Sequence, residues 1–67
     1  MNHIIRFTAS NDFKYYIAGV NPNGSLITKA DQSMAKIFTS QTEINAVKQT
    51  LIDTYYPSAI LTQRVAS

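Results

Sequence analysis

Ser40-Gln41-Thr42-Glu43-Ile44-Asn45-Ala46-Val47-Lys48-Gln49-Thr50-Leu51-Ile52-Asp53-Thr54-Tyr55 is the stretch whose reading decides the fold. It opens with the spacing of a capping box, in which the Glu43 backbone N–H donates to the Ser40 hydroxyl while the Glu43 carboxylate reaches back to the N–H of Ser40. A helix is therefore expected from Gln41. Within it Ile44, Val47, Leu51 and Tyr55 recur at spacings of three, four and four, an apolar stripe, whereas Asn45, Lys48, Gln49 and Asp53 fall mostly elsewhere. The residue before Pro57 is pushed out of the helical region, so the helix should end by about Tyr55. Such a stripe must cover something apolar.

What it covers lies upstream and downstream. His3 to Thr8 and Phe13 to Val20 are rich in β-branched and aromatic residues, and Ser10-Asn11-Asp12 between them supplies side chains that cap turns. A period of two places Tyr15 and Ile17 on one face of the second strand and Tyr16, Ala18 and Val20 on the other, which leaves the buried face open. Asn21-Pro22-Asn23-Gly24 is the clearest turn signal. Proline presets φ at the first central position and Gly24 tolerates the left-handed conformation that closes a bulged hairpin, so residues 25–28 return as a third strand. Residues 29–34 read as a loop or one helical turn opened by Asp31, and Ala35-Lys36-Ile37-Phe38 as a short strand. Residues 58–65 form the last strand.

The expected order is β-β-β-(β)-α-β: an α+β single domain spanning residues 1–67, with a mainly antiparallel twisted sheet of three to five strands and one helix, about residues 41–55, packed on one face. The other face has no partner within the chain. It is left to present Tyr, Arg and Lys side chains to solvent or to close against a second copy. A chain of 67 residues gains only about 3–5 kcal/mol from one core, and dimerisation would relieve that marginality, so a homodimer is expected.

Composition narrows the chemistry. Six Lys and Arg against four Asp and Glu give a net charge of +2, and 45% of residues are hydrophobic, too apolar for the signature of disorder. There is no cysteine, hence no disulfide or thiolate nucleophile. Apolar runs reach three or four residues, so no membrane span or secretory leader is expected, and cytoplasmic residence follows by default. His3 is the sole histidine and has no neighbouring acid pattern. The four carboxylates are scattered over a turn, a loop, a helix start and a helix face, and no Gly-x-Ser-x-Gly elbow or glycine-rich phosphate loop occurs. No catalytic residue, metal site or cofactor is expected, and the chain is read as a non-enzyme.

Two binding classes remain. Arg6, Lys14, Lys29, Lys36 and Arg64 fall on or near strands, interleaved with Phe13, Tyr15 and Tyr16, a pattern that can pair phosphates and stack bases, as in a small DNA-binding domain that uses its open sheet face. Against it stands a net charge far below a dense basic stripe. The second class is a protein-interaction module, for which the adjacent pairs Tyr15-Tyr16 and Tyr55-Tyr56 supply the residue type favoured in interface hot spots. A protein partner is favoured over nucleic acid, and the candidate partner-binding residues are Arg6, Lys14, Lys36 and one of Tyr15 and Tyr16 on the sheet, with Tyr56 at the edge.

Lys14-Tyr15-Tyr16-Ile17, the turn at Asn23-Gly24, then Leu26 and Thr28-Lys29, and Ala35-Lys36-Ile37-Phe38 leading through Thr39-Ser40 into the helix together resemble small phage and prophage accessory proteins of Gram-positive bacteria. The resemblance covers about residues 13–51. It implies an accessory protein of a mobile element that acts by binding, in a class that includes anti-CRISPR inhibitors of host-defence nucleases, at work in the host cytoplasm.

Overall fold

Residues 2–65 are described by a computed structural model, in which four strands form a single antiparallel sheet: β1 (His3–Thr8), β2 (Lys14–Val20), β3 (Leu26–Lys29) and β4 (Ala59–Arg64). One helix, α1 (Gln41–Thr54), and one 3-10 turn (Gln32–Met34) complete it. Spatially the strands run β3-β2-β1-β4. The α+β architecture, with its single helix on one side of the sheet, is the one expected from the helical stripe.

Local chemistry sets the connections. Between β1 and β2 the Ala9 N–H donates to the Phe13 carbonyl at 2.8 Å and the Phe13 N–H to the Asn11 carboxamide at 3.1 Å, while Asp12 takes φ +68°. Asp tolerates that left-handed position because its short side chain bonds locally. Between β2 and β3 the Asn21 N–H donates to Ser25 at 2.8 Å and the Gly24 N–H to Asn21 at 2.9 Å. Gly24 sits at φ +89°, where any Cβ would be strained.

Residues 35–38, expected as a short strand, are not one. β1 pairs with β2 only over Arg6–Thr8, and the β2–β3 register then shifts between Ile17 and Gly19. The first half of β1 is thereby left without β2 beside it, and the incoming chain fills the gap with single contacts. The Lys36 N–H donates to Ile17 at 2.8 Å, and Phe38 exchanges both backbone hydrogen bonds with His3, at 2.9 and 2.7 Å. These contacts are too isolated to make a ladder. They nonetheless fix Phe38, which is buried beneath the helix. Just upstream, Asp31 opens the expected helical turn by accepting the Ser33 N–H at 2.9 Å.

The capping box forms by half. The Glu43 N–H donates to Ser40 Oγ at 3.4 Å, but the Glu43 carboxylate turns outward to Lys36 Nζ at 3.0 Å instead of returning to the Ser40 N–H. A full opposite charge nearby outcompetes a neutral N–H donor. The helix ends with Tyr55, whose N–H donates to Leu51 at 2.9 Å, and Tyr56 then takes φ +49° ahead of Pro57. That turn starts the run back to β4, which pairs with β1 along its whole length, from Ala59 opposite Thr8 to Arg64 opposite His3.

Ile44, Val47 and Leu51 are all buried, and they meet Ile5, Phe7, Ile17, Leu26 and Phe38 in one core. Alternation along β1 and β2 puts Ile5, Phe7, Tyr15 and Ile17 on this helix side, and Ile4, Arg6, Lys14 and Tyr16 on the other, where Ile4, outside that core, is nonetheless buried at 3% exposed. Leu51 has no exposed surface, and truncating it should cost about 2–5 kcal/mol. For a domain this small that is most of the available stability, so Leu51→Ala should be largely unfolded at 25 °C by far-ultraviolet circular dichroism. Its half-exposed neighbour should behave differently, and Ile52→Ala should change the denaturation midpoint by no more than about 0.5 kcal/mol equivalent.

The Asp31 carboxyl is held below the usual carboxylate range by the hydrogen bond from the Ser33 backbone, with the Ser33 hydroxyl adding to it. A group whose pKa is lowered on folding supports the fold fully above its unfolded value and loses that support as pH falls through the lowered one. Protection of the Ser33 amide in hydrogen exchange should therefore stay constant from neutral pH to the ordinary carboxylate range and disappear below it.

Candidate functional site

The uncovered side of the sheet is built by register. Leu61 of β4 lies opposite Arg6 of β1, Arg6 opposite Tyr16 of β2, and Tyr16 opposite Lys29 of β3, so one cross-strand row reads Leu61, Arg6, Tyr16, Lys29. The neighbouring row holds Ala59, Thr8 and Lys14. With strands about 4.8 Å apart, Arg6 and Lys29 stand about 10 Å from each other with the Tyr16 ring between them. Arg6 and Tyr16 are half-buried at the centre, while Lys14 and Lys29 are exposed to either side. Beyond the β2 bulge, Gly19 faces Ile27, and a Cβ at Gly19 would touch the Ile27 side chain at 3.4 Å. Leu61 at the end of the row and Ile27 beside it are exposed apolar groups.

The charge on this face has one sign. Three of the six cations, Arg6, Lys14 and Lys29, project from it, and none of the four carboxylates is on a strand: Asp12 is in a turn, Asp31 caps the 3-10 turn, and Glu43 and Asp53 are on α1. The remaining three cations are outnumbered by those four acids. The modest net charge thus conceals a cationic face on a molecule that is elsewhere slightly acidic. Among the described residues the sole ion pair is Lys36 with Glu43, so no carboxylate is within ion-pair distance of Arg6, Lys14 or Lys29.

Of the residues singled out from the sequence, Arg6, Lys14 and Tyr16 are brought together here. Tyr15 is not. It lies on the helix side, partly buried, with its ring centroid 5.8 Å from that of Phe7, which in turn is 5.6 Å from Tyr55. Lys36 is not on the sheet either. It sits ahead of α1, bonded to Glu43 and with its ammonium 5.2 Å from the Phe38 ring centroid, because residues 35–38 cross beneath the helix start instead of extending the sheet. Tyr56 is 76% exposed in the turn before β4, apart from the row. Lys29 was visible only as one cation among five, since its place beside Tyr16 depends on the bulge in β2.

Other concave or titratable features lead less far. A groove of about 320 Å³ runs between α1 and the β2–β3 hairpin, lined by Val20, Leu26, Ala46 and Val47, with the Lys36–Glu43 pair at its rim. Its two charges satisfy each other. His3 Nδ1 is buried without a hydrogen-bond partner among the described residues. Asp53 accepts from Gln49 Nε2 at 3.0 Å, Asp31 from Ser33 and Glu43 from Lys36, and no three His, Cys, Asp or Glu residues among those described lie close enough to share a metal ion. Among the described residues no helix is long and apolar enough to cross a membrane.

No family model matches the chain, and comparison with curated proteins and with solved structures finds no match either.

The two adjacent tyrosines should separate cleanly on mutation. Tyr15→Ala removes a ring packed against the core and should lower stability by about 2 kcal/mol, whereas Tyr16→Ala should cost under about 1 kcal/mol. Urea denaturation followed by circular dichroism measures both, and equal losses would mean the two faces are wrongly assigned.

Proposed function

We propose that this chain is a non-catalytic protein-interaction module that docks an acidic protein surface on the open face of its sheet. The observation that carries this is the row Leu61, Arg6, Tyr16, Lys29, with no carboxylate on any of the four strands and none ion-paired to its cations. Its anatomy is that of an interface: Arg and Tyr, the residues most enriched in binding hot spots, are half-buried at the centre, and lysines and single apolar side chains lie around them. Arginine and tyrosine also lose little conformational freedom per contact, which suits a small rigid sheet.

Sign and size bear on the partner. A cationic face cannot imitate the nucleic acid that a defence nuclease holds in its own basic channel. The resemblance to phage accessory proteins, which include inhibitors of such nucleases, is therefore best combined with docking on an acidic region of a host protein in the cytoplasm. Two copies pressed face to face, with their sheets about 10 Å apart, would crowd Arg6, Lys14 and Lys29 of both into the one layer of side chains between them, which disfavours that use of the sheet. DNA binding is the second reading, favoured by the same cations on strands without carboxylates. Three cations would neutralise about three phosphates, so such binding would weaken about 40-fold between 50 and 200 mM salt.

The deciding experiment uses the purified chain as immobilised bait in bacterial host lysate, with and without nuclease. A specific protein should be retained in both arms, and the Arg6→Glu/Tyr16→Ala variant should lose at least about tenfold of that binding, or 1.4 kcal/mol, while melting at the same temperature. Retention abolished by nuclease, together with a salt-sensitive affinity for a short duplex, would transfer the function to nucleic acid. Retention unaffected by the double substitution would remove the open face as the docking surface.

A further inference from the structure

The two edges of the sheet are protected very differently. β3 is four residues long, ends in Lys29 and pairs with a strand bulged between Ile17 and Gly19, all features that blunt an edge against further pairing. β4 has none of them. It is six residues long, pairs in unbroken register with β1, and carries no proline or bulge and no charge before Arg64 at its end. Its outward row of backbone N–H and C=O groups is not paired with any other strand among the described residues. Its apolar side chains are also incompletely buried on both faces: Ile60 is half-buried on the helix side, and Leu61 is 45% exposed on the open side.

We propose that β4 is a self-association edge, at which a second copy of this chain pairs antiparallel about a two-fold axis centred on Leu61. An axis perpendicular to the sheet keeps both open faces on one side, so only residues of the same face can meet across it. Centring on Leu61 sets Leu61 against Leu61 of the other copy, Ile60 against Thr62 and Ala59 against Gln63. Every one of these pairs is uncharged, and Arg64 falls opposite Ser58. Centring on Thr62 would place Arg64 against Ile60, and centring on Ile60 would shorten the overlap. The second copy fits better than a disordered peptide because its strand is already extended and loses no backbone entropy on pairing.

The charges permit it. Arg6 of each copy is separated from its image by three strand spacings, about 14 Å, which is beyond the screening length at physiological salt. The product is a continuous eight-stranded sheet whose outer edges are the two blunted β3 strands, so the assembly closes at two copies instead of growing. It also places two cationic faces side by side, with a Leu61 pair at the seam. A strand-edge contact is smaller than a standard protein interface, so dimerisation should be concentration-dependent and micromolar or weaker.

Sedimentation of the purified chain alone, with no partner present, tests this independently of any docking by the open face. The mass should rise from 7.5 kDa toward twice that value over roughly 10 μM to 1 mM, the range expected of a small interface. Leu61→Lys and Leu61→Glu should each remain monomeric throughout with an unchanged circular dichroism spectrum, because like charges then meet at the axis. Mixed in equal amounts, the two variants should recover the dimer. A wild-type chain that is monomeric throughout, a dimer that survives either substitution, or a mixture that stays monomeric would overturn the proposal. If either variant fails to fold, amide exchange of the wild type decides: protection of β4 amides that grows with concentration supports pairing, and protection independent of it refutes pairing.

Discussion

Ile44, Val47 and Leu51 pressing onto Ile5, Phe7, Ile17 and Phe38 form the contact on which the rest of the molecule depends. A chain of 67 residues has too little surface-to-volume advantage for a second core, so nearly all of its apolar burial must occur at this one interface. The helix contributes a single stripe and therefore covers a single face. It can do so only because residues 35–38 thread under its start, where the divergence of β1 and β2 leaves a gap, and deliver Phe38 into the core. The Lys36–Glu43 pair then ties that crossing segment to the first turn of the helix. At two exposed side chains its contribution is small, and the hydrophobic contact beneath it dominates.

One helix on one face has two consequences, and both concern what is left outside. The uncovered face is where β1, β2 and β3 project Arg6, Lys14, Tyr16 and Lys29, while the carboxylates are confined to turns and the helix. The segregation turns a small net charge into a local field of one sign, which would orient the encounter with an acidic surface proposed above. The strand farthest from β3 is also incompletely covered, so Ile60 and Leu61 remain partly in water on opposite sides of β4. Face and edge are geometrically separate. A second copy added at β4 would therefore enlarge the cationic surface without blocking it.

The elements were legible where local chemistry is strong. The Ser40 cap, the apolar spacing to Leu51, the Pro22-Asn23-Gly24 turn and the β-branched runs are short-range signals, and each gave a helix, turn or strand within a residue or so of its observed limits. Residues 35–38 were misjudged because their alternation resembles a strand, while their actual contacts are single bonds to Ile17 and His3, set by a gap elsewhere in the sheet. The return arm of the capping box failed for a related reason: Lys36 is seven residues from Glu43 in sequence and reaches it only once that segment has crossed beneath the helix.

The amino-acid order by itself therefore determined the existence of one helix, its buried stripe and the turns, since each depends on neighbours a few residues apart, and composition alone determined the absence of cysteine chemistry. It placed Tyr15 and Tyr16 on opposite faces without saying which faced the helix. Only the tertiary structure decided that Tyr15 packs beside Phe7, that Lys36 leaves the sheet, and that Lys29 joins Arg6 and Tyr16 in one row. Those outcomes turn on strand register and on a bulge between Ile17 and Gly19, and a slip of one residue would send every side chain of a strand to the other face. Register is fixed by how the whole sheet buries its core, which no local stretch of the chain encodes alone.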